Sequence, residues 1–133
     1  MKLSEIMNAT VATAAPDESA AAAWDRMRAL DASYLVVTTE GGILGVLSWH
    51  DLMGPAGGAH RRMGRRVGEL MHRDVVFGTP GTSVERAAAT MRRHRVGCLP
   101  ILERHQLVGI VTTSDMLGVL ASGAVAPRRA PRR

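Results

Sequence analysis

The chain has 133 residues, 46% of them apolar but only 3% aromatic, and a formal charge of +5. That length allows one ordinary domain or two small units sharing a core, and a core so poor in aromatics offers no stacking platform for single-stranded bases. Eight of the 17 basic residues (Arg61, Arg62, Arg65, Arg66, Arg128, Arg129, Arg132 and Arg133) fall in GPAGGAHRRMGRR and APRRAPRR, so the basicity belongs to a linker and a tail and a nucleic-acid role is disfavoured.

The opening MKLSEIMNAT lacks the basic-then-apolar order of a secretion signal, and no apolar run reaches the roughly 18 residues of a membrane span, so a cytoplasmic protein is expected. SEIM reads as a short helical turn, Val11 to Thr13 as a strand, and PDES as a turn whose Asp17, Glu18 and Ser19 supply acceptors for a helix entry. Ala20, Ala23, Trp24, Met27 and Leu30 then form one apolar stripe at helical spacing, on which Trp24 is a core or dimer-interface residue. YLVVT and ILGVL are strands joined by TEGG, and a last short helix runs from Asp51 to about Met53. Residues 55–66 are a Gly/Arg-rich linker.

The same series then recurs. GELM is a helical turn, Val75 to Phe77 a strand, PGTS a turn, and Thr82 with Glu85 a capping-box start for a helix carrying Val84, Ala87, Ala88 and Met91. CLPIL and LVGIV, joined by ERHQ, are strands, and a helix follows from Asp115 to about Ala121 before a basic tail over 123–133. A shift of 64 positions superposes Leu3 to Met53 on Val67 to Leu117 without a gap. It brings Glu5 onto Glu69, Pro16 onto Pro80, Ser19 onto Ser83, Gly45 onto Gly109 and Asp51 onto Asp115. Three strands per copy are too few to stand alone, so the two sheets must pack together and leave two equivalent clefts between the halves.

The repeated element that carries chemistry is a hydroxyl, two spacers and an aspartate: Ser48 to Asp51 and Thr112 to Asp115. A carboxylate accepts a fork of hydrogen bonds from a ribose diol, and the helix start beside it favours phosphate. The competing reading makes Ser48 and Thr112 plain helix caps. Gly45 and Gly109 remove a side chain where another backbone or a ligand comes near. His50, His60, His72, His94 and His105 show no metal-ligand spacing, and Cys98 has no second thiol, which makes it a small buried strand residue. No GxxxxGK loop, nucleophile elbow or paired carboxylates are present, so binding without catalysis is expected.

PGTSVERAAATMRRHRVGCLPILERHQLVGIVTTSDML resembles a CBS (cystathionine-β-synthase) domain, and residues 2 to 121 together resemble the two-copy Bateman module. The first copy is the looser match, with Val36 where the family has the proline present here as Pro100. The resemblance implies an α+β fold of two tandem β-α-β-β-α units with pseudo-two-fold symmetry, over 1–54 and 67–122, with small sheets packed together and helices outside. It also implies an adenosine-containing ligand such as AMP, ADP, ATP or S-adenosylmethionine, no required cofactor, a homodimer and a regulated protein partner. Carried over, Thr112, Ser114 and Asp115 would act with Ala12, Ser33 and Tyr34, and Ser48, His50 and Asp51 with Val76, Gly97 and Cys98. Tyr34 stands where the other copy has Cys98, and Trp49 where it has Thr113, so the two clefts differ. Arg92, Arg93 and Arg95 either attract phosphate or are solvated surface. Two rival readings are a degenerate pair serving as a dimerisation scaffold and a nucleic-acid-associated protein using the arginine linker and tail.

Overall fold

The computed structural model describes residues 1–53 and 63–123. In chain order these form a 3-10 turn (Leu3–Glu5), β1 (Thr13–Ala14), α1 (Ala20–Leu30), β2 (Tyr34–Thr39), β3 (Gly42–Ser48) and α2 (Trp49–Met53). The second copy supplies α3 (Val67–Leu70), α4 (Val84–His94), β4 (Cys98–Glu103), β5 (Gln106–Thr112) and α5 (Thr113–Ser122). The fold is α+β, and no helix among the described residues is long and apolar enough to cross a membrane. Most of the linker, residues 54–62, and the tail from 124 lie outside the described residues.

The two eleven-residue helices, α1 and α4, each start at a serine. Ser19 Oγ accepts from Ala22 N–H and Ser83 Oγ from Arg86 N–H, both at 3.1 Å. The capping box expected from Thr82 and Glu85 does not form, because the Thr82 hydroxyl is turned to the preceding loop, where it accepts from Thr79 N–H at 3.1 Å. Of the two predicted stripes, Ala20, Ala23 and Met27 are buried on α1 and Val84, Ala87 and Met91 on α4. Leu30 and Ala88, predicted on the same stripes, are exposed. Trp24 packs half-buried against the first core.

The first sheet has the order β1-β2-β3, with β1 parallel to β2 and β2 antiparallel to β3. Its first strand begins two residues later than expected, at Thr13, and Val11 instead turns toward the contact between the repeats. The second sheet contains only β4 and β5. The predicted strand from Val75 to Phe77 is absent, and a single parallel bridge, Gly78 with Ile101, stands in for it. The cause is Pro100. In the first copy Val36 N–H donates to Ala12 O at 2.9 Å; the equivalent residues are Pro100 and Val76, and proline has no N–H to give.

Among the described residues, three apolar clusters form the core. One lies under α1 and the first sheet, one under α4 and the second, and a third joins the sheets through Val36, Cys98 and Ile110. The lead segments are exchanged between copies. Leu3, fully buried, belongs to the second core, and Val67 and Met71 belong to the first. The hydrogen bonds repeat this reciprocally: Leu3 N–H donates to Thr82 O and Val67 N–H to Glu18 O, while Asn8 exchanges two bonds with Ile110 as His72 does with Val46. Gly45 and Gly109 are explained here. A Cβ on Gly45 would strike His72 O and one on Gly109 would lie 2.7 Å from Met7 Sδ, so they admit the exchanged segments.

Arg26 ties α1 to β1 by donating to Thr13 O at 2.7 Å, and Glu18 holds it by a 2.6 Å ion pair. The Arg26 hydrogen bond, opposed by partial burial and aided by Ala15 N–H, keeps the Glu18 carboxyl below its ordinary value. A carboxyl lowered on folding adds stability above its unfolded value of 4.5, and that addition disappears as pH falls through the lowered folded value. Glu18→Gln is therefore expected to cost at most about 1 kcal/mol near neutrality, since both side chains are about a third exposed. Urea melts at falling pH should show the variant and the parent converging in acid.

Candidate functional site

Among the described residues, a cleft between the repeats opens beside each aspartate, each about 320 Å³, at the lower end of what small-molecule sites occupy. The Asp115 cleft gathers all six residues assigned to it: Thr112, Ser114 and Asp115 from the β5–α5 junction, and Ala12, Ser33 and Tyr34 from the other repeat. The Asp51 cleft gathers Ser48 and Asp51 with Val76, Gly97 and Cys98. His50 does not line it. That ring instead lies against Trp49, 3.8 Å between centroids, whereas Ser114, its equivalent in the second repeat, lines the other cleft.

Both aspartates occupy the third position of their helix and close a reciprocal cap. Asp51 Oδ2 accepts from Ser48 N–H and Asp115 Oδ2 from Thr112 N–H, both at 2.8 Å, while the hydroxyls accept in return from the aspartate N–H groups. The cap and the candidate site are thus the same residues. One carboxylate oxygen is committed to the helix, so the fork expected for a diol is reduced to the other oxygen. In the Asp115 cleft Oδ1 has no hydrogen-bond partner among the described residues. In the Asp51 cleft Oδ1 is met by His72 Nε2 at 2.7 Å.

Tyr34 lines both clefts, and its hydroxyl lies against Gly97, where a Cβ would collide with it. Burial, with smaller contributions from Cys98 and Asp51, raises the phenol above its ordinary value. Cys98 takes the equivalent place in the second repeat and is 3% exposed. Burial, then the negative charge of Asp51, pushes its thiol up to about 12. The thiolate fraction at mildly alkaline pH should fall about a thousandfold from that of a free cysteine, so Ellman's reagent should label Cys98 promptly only after denaturation.

The sequence pattern misses Asn8, Thr10 and Asp31 in one cleft and His72, Asp74 and His94 in the other; of the arginines considered for phosphate attraction, Arg95 lines the Asp51 cleft and Arg92 and Arg93 do not. Asn8, Thr10, His72 and Asp74 follow the lead segments, which cross to the opposite repeat. The 64-residue shift holds the signal, since it pairs Asn8 with His72, Thr10 with Asp74 and Asp31 with Arg95. Among the described residues no three His, Cys, Asp or Glu side chains gather to hold a metal ion. Of the eight linker and tail arginines, Arg65 approaches Glu69 at 3.7 Å and Arg66 donates to Asp17 O at 2.6 Å; the other six fall outside the described residues.

Two repeats with exchanged leads, a capping aspartate at each cleft and the LPIL and GIVTTSD strands coincide with one family profile, which matches residues 3–55 and again 67–122. The chain belongs to the CBS domain family. Among relatives of this CBS pair, the CBS domain-containing protein YhcV of Bacillus subtilis is 30% identical over 112 residues, 84% of this chain and 80% of that protein. Hypoxic response protein 1 of Mycobacterium tuberculosis is 30% identical over 124 residues, covering 91% and 86%. The CBS domain pair of protein MJ0100, solved in complex with 5'-methylthioadenosine and S-adenosyl-L-methionine, has the same fold, with a TM-score of 0.80, 20% identity and coverage of 92% and 97%.

Proposed function

We propose that this CBS pair is a regulatory module that binds an adenosine-containing ligand, AMP, ADP, ATP or S-adenosylmethionine, in the clefts between its repeats. The observation that carries the proposal is a carboxylate at each of two equivalent clefts, with Asp115 Oδ1 open to accept from a sugar hydroxyl. Tyr34, Ser33 and Ala12 form the opposite wall for the base. The ligands of MJ0100, both adenosine derivatives, support the same class here. The module works by binding alone, without catalysis or a required cofactor, in the cytoplasm. Its output passes to a regulated protein. Leu117 and Leu120 on α5, 60% and 61% exposed, supply apolar surface for a homodimer.

Thermal denaturation with a panel of adenosine ligands tests the proposal. A ligand at 100 times its dissociation constant should stabilise by about 2.7 kcal/mol. No shift with any of them would reject ligand sensing and leave a dimerisation scaffold.

A further inference from the structure

We infer that the two clefts take adenosine ligands of opposite charge: a phosphate-bearing one beside Asp51, and an uncharged or cationic one beside Asp115. The inference rests on the adenosine reading above and adds to it a selectivity that the repeat symmetry by itself would not give.

The helices α1 and α4 both end in a left-handed residue, Asp31 at φ 51° and Arg95 at φ 55°. Each donates its N–H back to the last turn, at 3.2 Å to Arg28 O and 3.3 Å to Arg92 O. The backbones are equivalent, and each residue lines the cleft next to its helix. From the same point one repeat presents a carboxylate and the other a guanidinium.

The remaining charges deepen the contrast. In the Asp115 cleft the carboxylates of Asp31 and Asp115 face no lysine, arginine or histidine among the lining residues. The reciprocal aspartate cap is the same at both clefts, so the helix starts do not distinguish them. A phosphate in the Asp115 cleft would meet two like charges, whereas a sulfonium or ammonium would be attracted by both. In the Asp51 cleft Arg95 is joined by His72 and His94, against Asp51 and Asp74. His72 Nε2 lies 2.7 Å from Asp51 Oδ1, so that carboxylate oxygen is occupied and does not face a phosphate entering beside Arg95. The guanidinium supplies the fork that suits phosphate oxygens.

Isothermal titration calorimetry on the full chain at low ionic strength, with AMP, 5'-methylthioadenosine and S-adenosylmethionine, tests this. AMP should bind one equivalent per chain. Arg95→Asn, chosen because asparagine accepts the left-handed conformation, should weaken AMP about fivefold or more while 5'-methylthioadenosine changes by less than about twofold. Asp31→Arg, which installs the residue native to the other repeat, should weaken S-adenosylmethionine about fivefold or more and admit a second equivalent of AMP. Asp31→Asn provides the same S-adenosylmethionine readout if the arginine variant melts early. Two equal AMP sites in the parent chain, or an unchanged preference between AMP and S-adenosylmethionine in these variants, would overturn the charge assignment alone. Failure of all three ligands to bind the parent chain would overturn it together with the adenosine reading.

Discussion

Replacing Asp115 by alanine is expected to weaken an adenosine ligand in its cleft by roughly tenfold or more, the equivalent of losing one charge-assisted hydrogen bond of about 1.5 to 3 kcal/mol. The same side chain caps α5 through Thr112, so the variant should also lose about 1 kcal/mol of stability. Two readouts separate these effects. Calorimetry at a temperature well below the melt reports the binding loss in folded protein, and Asp115→Asn keeps an amide oxygen able to accept from Thr112 N–H while removing the charge. If the carboxylate grips the ligand, both variants bind weakly although only alanine melts distinctly earlier. Undiminished affinity in Asp115→Asn and in Asp51→Asn would remove both aspartates from the site. Asp51 should respond less than Asp115, because its Oδ1 is engaged by His72.

Leu3→Ala should be the more destructive change to the fold. Leu3 is fully buried, and deletion of a buried leucine to alanine costs about 2 to 5 kcal/mol. For a chain of this size that lowers the melting midpoint by on the order of 10 °C. The location of the damage is the sharper test. By sequence Leu3 belongs to the first copy, yet it packs with Val84, Leu99 and Ile101 of the second. Amide exchange in Leu3→Ala should therefore accelerate first in α4 and β4, with β2 and β3 less affected. Acceleration confined to β2 and β3 would contradict the exchanged arrangement. A Val67→Ala variant should give the reciprocal pattern, since Val67 packs with Leu35 and Leu47 of the first copy.

How much the sequence discloses differs between elements for physical reasons. Helices α1 and α4 and the two hairpins follow from local patterns, because an apolar stripe at helical spacing and alternating β-branched runs each specify their own backbone. The capping position shifts by one residue at α4 because Ser83 and Thr82 are both able to cap, and the competition is decided by the loop contact with Thr79. The missing strand near Val76 has a sequence cause, Pro100, but its effect appears only once the two segments are known to be neighbours.

The candidate site divides the same way. The residue order alone establishes the repeat and the equivalence of Asp51 with Asp115, because a 64-residue period needs no coordinates to be seen, whereas the six side chains around the Asp115 cleft follow only from the resemblance to the CBS family. It misplaces His50, whose ring lies against the neighbouring Trp49 rather than in the cleft. It also omits His72, Asn8 and Asp31, because a chain position carries no record of what its segment will pack against, and it leaves Arg95 undecided between phosphate attraction and solvated surface. Exchange of the lead segments is decided by long-range burial of Leu3 and Val67, and helix termination by left-handed caps at Asp31 and Arg95. Periodicity thus determined that there are two clefts, and tertiary packing decided what charge each of them presents, since charge in a cleft is summed over side chains that only folding brings together.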